Sequence, residues 1–366
     1  MAKSTLLLDP ELNFFYAQDG ISGDTQESTD EQYRVTKPDA HNRQFVQMTQ
    51  IVLHIGTPKT GTTAIQNALV RHEDALPDRG IVFLKSGRHR AAHNDLSNAI
   101  ARHGSDHRFS ASLSEEIKHS QTTHPTATLL LSSEMFALLP PDRFKEALPQ
   151  IAPMQKRVVI YLRRQDTYAE AFYKQRLKNG RISKPFSAFL DSDECRRITN
   201  YPDLLHSWKR SFPEADIVPR IYDREQFPNS NITCDFAQVL GLEETALQHS
   251  DGDTNTSPGT EAIMMMQALA PHFSSAERRR IFKSVKSMNI KGFLGKAHLF
   301  SPEERHQYLS RFEADNAQLR EEYFPDQASV FPSIGPPQAA QSDTLTLSQR
   351  QAIVSAMADA ALKLRS

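Results

Sequence analysis

The sequence predicts an α/β fold: a central parallel sheet of about five strands flanked by helices, leading into a helical C-terminal half. Three observations point there. Short runs that are apolar on both faces, Gln50–Gly56 (QIVLHIG), Thr128–Ser132 (TLLLS) and Arg157–Leu162 (RVVIYL), suit strands covered on both sides. Helical stretches separate them, as crossovers between parallel strands require. From Pro258 onward the pattern is almost entirely helical.

The elements follow in order. Residues 1–47 hold eight acidic and four basic residues and no periodic apolar face, which reads as an unstructured extension. The first strand, Gln50–Gly56, runs through a turn into a helix over Thr62–His72. Ile81–Leu84 is the second strand and Thr128–Ser132 the third. Arg157–Leu162 is the fourth and feeds a helix over Asp166–Lys178; Asp216–Tyr222 is the fifth. Helices are expected over Thr260–Ala270, Ala276–Ser287 and Pro302–Tyr323. A Pro-, Gln- and Ser-rich stretch, 332–345, reads as a linker. A final amphipathic helix, 346–366, places Ile353, Met357, Ala360, Ala361 and Leu364 on one face. The main domain is therefore expected over 48–331.

Composition narrows the chemistry. Across 366 residues, 43 Lys and Arg offset 44 Asp and Glu, so no global basic field exists for nucleic acid. Two cysteines make neither a disulfide framework nor a four-cysteine zinc site. The 14 histidines show no metal-ligand spacing, so no metal is expected. No apolar run approaches the roughly 18 residues needed to span a bilayer. The first residues offer only Leu6–Leu8 as an apolar run, so a cytoplasmic location is expected.

The most informative segment is His54–Thr63, HIGTPKTGTT. An apolar strand enters a Gly-containing turn and a helix begins at once, which aims backbone N–H groups and the positive helix end at an anion. Gly56 and Gly61 permit close backbone approach, Thr62 and Thr63 add hydroxyls, and Lys59 adds a cation. A Walker loop has Gly-x-x-x-x-Gly-Lys-[Ser/Thr]. Here the Walker lysine position is Thr62, and the lysine sits inside the loop as Lys59. Mg²⁺-bound ATP loses its main β/γ-phosphate cation in such a loop.

Pro58-Lys-Thr-Gly-Thr-Thr63 resembles the 5′-phosphosulfate loop of the sulfotransferases that use 3′-phosphoadenosine-5′-phosphosulfate. Arg157–Tyr173 (RVVIYLRRQDTYAEAFY) resembles that family's second motif, a strand ending in arginine followed by a helix. Asp216–Phe227, Asp235–Ala237, Leu240–Gly241, Asn255–Ser257 and Phe312–Tyr323 extend a weaker similarity over about residues 50–331. The resemblance implies a P-loop-like sheet and 3′-phosphoadenosine-5′-phosphosulfate as co-substrate. It implies nucleotide contacts from Thr57, Pro58, Lys59, Thr60, Gly61, Thr62 and Thr63, and a 3′-phosphate clamp at Arg163. The family's serine eight residues after that arginine is Ala171 here, so Arg164, Tyr168 or a backbone N–H has to replace its hydroxyl. A Gly- and Lys-containing loop, Lys291–Lys296, matches one that closes over the nucleotide and makes Lys291 a contact. The implied acceptor is a hydroxyl of a carbohydrate or glycolipid.

Sulfuryl transfer resembles phosphoryl transfer, an in-line displacement driven by positioning and charge stabilisation. Lys59 is the candidate for stabilising the leaving phosphate. Two residues compete as the base that takes the acceptor's proton. Glu134 follows the third strand at its carboxyl end, where parallel-sheet sites open. His93, in Arg90-Ala-Ala-His-Asn-Asp, is its rival, against a plain reading as a surface-helix histidine. Two other function classes stay open at this point: a P-loop kinase or NTPase, opposed by Thr62, and a silent nucleotide-binding module, suggested by Ala171. Arg278–Arg280 reads as a solvated helix face that could also meet an anionic acceptor.

Overall fold

The computed structural model describes residues 49–248, 257–290, 293–295, 297–333 and 347–365. Five strands, β1 (Gln50–Gly56), β2 (Ile81–Phe83), β3 (Thr128–Ser132), β4 (Gln155–Leu162) and β5 (Asp216–Ile221), form one sheet ordered β2-β3-β1-β4-β5. Every pairing is parallel. The expected fold class is the observed one.

Fourteen α-helices are found among the described residues. Those preceding β5 are α1 (Thr62–Arg71), α2 (Asn94–His103), α3 (Ser110–Thr123), α4 (Pro141–Ala147), α5 (Gln165–Lys178), α6 (Phe186–Leu190), α7 (Asp193–Thr199) and α8 (Tyr201–Ser211). After β5 come α9 (Ile232–Val239), α10 (Thr260–Leu269), α11 (Ser275–Ser287), α12 (Pro302–Ser310), α13 (Glu313–Tyr323) and α14 (Leu347–Arg365).

Alternation along the central strands divides the core in two. Ile51, Leu53 and Ile55 of β1 join Leu129, Leu131, Val158 and Ile160 on one face of the sheet. Val52, Leu130, Val159 and Tyr161 face the other side, where Ile65 and Leu69 of α1 and Phe236 of α9 cover them. Both faces are buried, which is why these strands read as continuous apolar runs.

Three expectations are corrected by the packing. The helix expected over Pro302–Tyr323 is two, α12 and α13, separated at Arg311 and Phe312. The break lets α12 pack on α5 and α13 on α8, which one straight rod does not do. Arg278 is not on a solvated face: it is buried and donates to the carbonyls of Gly180 (2.5 Å) and Ile182 (3.2 Å), just past the end of α5. Helices α3, α4, α6, α7 and α8 fall where no element was expected; most are short, and their burial comes from tertiary partners. The extension 1–47 and most of the stretch 332–345 lie outside the described residues. In α14, Ile353, Ala356 and Ala360 are buried in the main core, and the helix packs on α11. Among the described residues no helix is long and apolar enough to cross a membrane.

Two histidines are wholly buried beside the sheet. The Nδ1 of His54 lies 2.8 Å from Ser132 Oγ, to which Gln66 also donates (3.2 Å). His93 accepts from the Ser132 N–H at 3.1 Å and packs edge-on against Phe83. Burial pushes both imidazoles down to about 3 from the ordinary 6.5. Both are neutral in the native protein and gain a proton on unfolding below pH 6.5. Stability is therefore full above that pH and is lost as pH falls towards 3, by about 1.4 kcal/mol per pH unit for each ring. His107, lowered by burial as well, adds to the slope. Urea unfolding at pH 7 and pH 5 measures it, and His54→Gln is expected to flatten it.

Candidate functional site

The carboxyl ends of β1, β3 and β4 meet at the loop between β1 and α1. Three of its residues take left-handed backbone, Gly56 (φ 92°), Lys59 (φ 68°) and Gly61 (φ 75°). Such alternation turns successive N–H groups into a concavity that suits an anion. No side chain caps the start of α1, so its first N–H groups add to that field.

Buried hydrogen bonds set the loop's shape. Thr57 donates to the Tyr161 carbonyl (3.1 Å) and Thr60 to the Thr57 carbonyl (2.6 Å). Both threonine side chains thus fasten the loop to itself and to β4. Arg163 Nη1 donates to the Lys59 carbonyl at 3.2 Å, which pins the residue with the least favourable backbone.

Gly56 has a second task. A Cβ built on it lies 2.6 Å from Glu134 Cα, so only glycine lets the segment after β3 come this close. Ser133 N–H donates to the His54 carbonyl (3.0 Å), and its hydroxyl donates to Asn94 (2.7 Å). Glu134 then points its Oε2 at the Thr62 hydroxyl, which donates at 2.9 Å. We expect Gly56→Ala to lower stability by more than about 1 kcal/mol, from the positive φ alone. Because it also displaces Glu134, turnover should fall further than stability; denaturation and steady-state rates on the same sample compare the two.

A cavity of about 420 Å³ opens on this loop. Pro58, Lys59, Gly61, Thr62 and Thr63 of the loop line it, together with Glu134 and Arg163. Helix α5 forms a long wall through Thr167, Ala171, Lys174 and Lys178, and Tyr222 follows β5 at the edge. Of the expected site residues, the structure brings Pro58, Lys59, Gly61, Thr62, Thr63, Glu134 and Arg163 together. Thr57 and Thr60 do not line it; their side chains are buried in the bonds that shape the loop. His93 is not brought to the cavity: it is buried against β2 and β3, where it braces Ser132, neither a surface histidine nor a cavity-lining one. Lys291 lies outside the described residues.

The substitutes expected for the hydroxyl at Ala171 are also placed. Arg164 is taken up by Asp166 (2.8 and 3.0 Å) and by the Pro332 carbonyl (3.0 Å), away from the cavity. Tyr168 is wholly buried. Thr167, one turn before Ala171 on the same helix face, brings a hydroxyl from α5 to the cavity. It accepts from Arg163 Nε at 3.1 Å. Thr167, Lys174, Lys178 and Tyr222 were missed from sequence. The first three sit with Ala171 at helical spacing, a signal that means something only once α5 is known to wall the cavity.

Charge dominates the lining. Lys59, Arg163, Lys174 and Lys178 face the carboxylates Glu134 and Glu170. Burial pulls Lys59 below the ordinary lysine value; the Glu134 carboxylate partly restores it and Arg163 lowers it further. Burial also lowers Lys174, with Glu170 opposing, and lowers Lys178, with Lys59 and Lys286 adding to the effect. Below the cavity, Asp166 is buried between Arg164 and Arg305, and Lys174 ties Glu170 to the Ala297 carbonyl. This network locks α5 to the segment that leads into α12.

No family model matches the chain. An uncharacterized protein of Archaeoglobus fulgidus is 29% identical over 198 residues, which are 54% of each chain. The chain thus spans about half the length of the curated relative it matches. A sulfotransferase from Alicyclobacillus acidocaldarius superposes with a TM-score of 0.33 at 14% identity, over 63% of this chain and 98% of that one. Mouse sulfotransferase SULT7A1, complexed with PAP, gives 0.34 at 14% identity, over 75% of this chain and 85% of that one.

Proposed function

We propose that this chain transfers a sulfuryl group from 3′-phosphoadenosine-5′-phosphosulfate to a hydroxyl of a carbohydrate or glycolipid. The observation that carries the reading is one cavity lined both by Lys59, placed inside an anion-cradling loop, and by Glu134, which the Thr62 hydroxyl holds by a hydrogen bond. The residues suit such a nucleotide: a volume in the range of small-ligand sites, a backbone concavity for one phosphate, and Arg163 with Thr167 for a second.

The co-substrate supplies an activated sulfuryl group on a phosphate leaving group. The chain's own residues do the rest. The loop N–H groups and the start of α1 hold negative charge in place. Lys59, whose proton is loosened by burial, donates to the leaving oxygen as charge develops there. Glu134, held by Thr62, accepts the proton of the acceptor hydroxyl. Arg163 orients the far end of the nucleotide and also steadies the loop through the Lys59 carbonyl.

Thermal shift with adenosine 3′,5′-bisphosphate against ATP–Mg²⁺ tests the reading. The bisphosphate should stabilise the protein by several degrees at saturating concentration and ATP–Mg²⁺ much less. Equal or greater stabilisation by ATP–Mg²⁺ overturns it. Labelled-sulfate transfer to a panel of neutral and acidic glycans then identifies the acceptor.

A further inference from the structure

A second cavity, of about 350 Å³, lies beside the first at the C-terminal end of α5. Five basic side chains line it: Lys178 at the end of α5, Arg181 just past it, and Arg279, Lys283 and Lys286 from α11. Among the described residues no carboxylate lines it. Lys178 lines both cavities, so the two are neighbours.

Part of this cluster is structural, because Lys178, Arg181 and Arg279 each have a partner within the protein. Cations near a helix C-terminus satisfy its carbonyls, and Arg278 and Arg279 do so, reaching Gly180, Ile182 and Asn179. Lys283 and Lys286 lie further along α11, the helix that also supplies Arg278 and Arg279. With Arg279 they form a stripe at i, i+4 and i+7, a spacing at which like charges weaken a helix. Lys178 in turn feels the repulsion of Lys59 and Lys286. A chain of net charge −1 has gathered five cations around one hollow.

We propose that this cavity binds carboxylate or sulfate groups of the acceptor, and that the acceptor is an acidic carbohydrate chain. The proposal rests on the sulfuryl-transfer reading above. From Thr167 to Lys178, α5 runs about 16 Å, so a ligand that follows this helix from the first cavity to the second is an oligomer and not a single sugar. Phe282 is only 1% exposed and offers no stacking platform, which favours a saccharide over single-stranded nucleic acid.

The test uses the full chain and fluorescence anisotropy with labelled polygalacturonate and dextran sulfate oligomers, uncharged dextran of the same length, and oligothymidylate. Both acidic oligomers should bind in a salt-dependent manner and uncharged dextran should not. K283E/K286E should weaken their binding by roughly a hundredfold, two charge-assisted contacts being lost. K283R/K286R should retain binding, which separates charge from misfolding. The remote control K118E/K145E, with the same change in net charge, should stay within about twofold of wild type. Affinity for adenosine 3′,5′-bisphosphate should not change in K283E/K286E. If it falls while oligomer binding is kept, the cavity serves the nucleotide and the proposal is wrong. Tighter, Lys283- and Lys286-dependent binding of oligothymidylate also overturns it, as does equal binding by K283E/K286E and wild type. Absence of bisphosphate binding in wild type refutes the sulfuryl-transfer reading and leaves the oligomer result as a separate outcome.

Discussion

Lys59→Ala is expected to lower kcat by about 10²–10³-fold, the loss typical of removing one preorganised donor to developing negative charge. The substitution isolates the ammonium. Lysine and alanine both carry a Cβ through the same left-handed backbone (φ 68°), so strain at this position hardly changes. The side chain is not part of either apolar core. The melting temperature should therefore stay within a few degrees of wild type or rise slightly, since a cation facing Arg163 has been removed. The measurement is kcat with saturating donor, alongside a melt of the same sample. Near-normal turnover with any acceptor would show that the loop lysine does not serve a leaving group.

Glu134→Gln is expected to lower kcat by about 10²–10⁴-fold, the usual contribution of a positioned base. Glutamine keeps the shape and can still accept the Thr62 hydrogen bond, so nucleotide affinity should stay within a few-fold. Arg163→Ala provides the contrast. Loss of a charge-assisted contact worth about 1.5–3 kcal/mol raises the KM for the donor roughly 10- to 150-fold. The structure adds a kcat component, because the same guanidinium holds the Lys59 carbonyl. Thr62→Val, which frees Glu134 without touching its charge, should fall between wild type and Glu134→Gln. His93→Ala should act on stability, since that ring is buried away from the cavity. If His93→Ala abolishes turnover in a stable protein while Glu134→Gln is active, the base is His93.

The central strands were legible because a parallel strand buried on both faces must be apolar throughout, and β1 and β3 match their expected limits. The anion loop was legible because its chemistry is local: strand, glycines, lysine and helix start lie within ten consecutive residues. Glu134 followed from its place at the end of β3. The sequence by itself thus determined the sheet, the cradle and the candidate pair Lys59 and Glu134.

Tertiary structure alone decided which charges face the cavity. Arg163 and Arg164 are neighbours in sequence, yet Arg163 lines the site and Arg164 is drawn to Asp166. That choice depends on Arg305, which meets Asp166 from 139 residues away and joins it in one buried network. The burial of His93, the clamp made by Arg278 and the basic wall from Lys174 to Lys286 arise in the same way. Each is settled by contacts between distant elements, because a charged side chain's surroundings set its energy. Local pattern carries the backbone's hydrogen bonding and its apolar period; it does not carry the neighbours that packing brings to a charge.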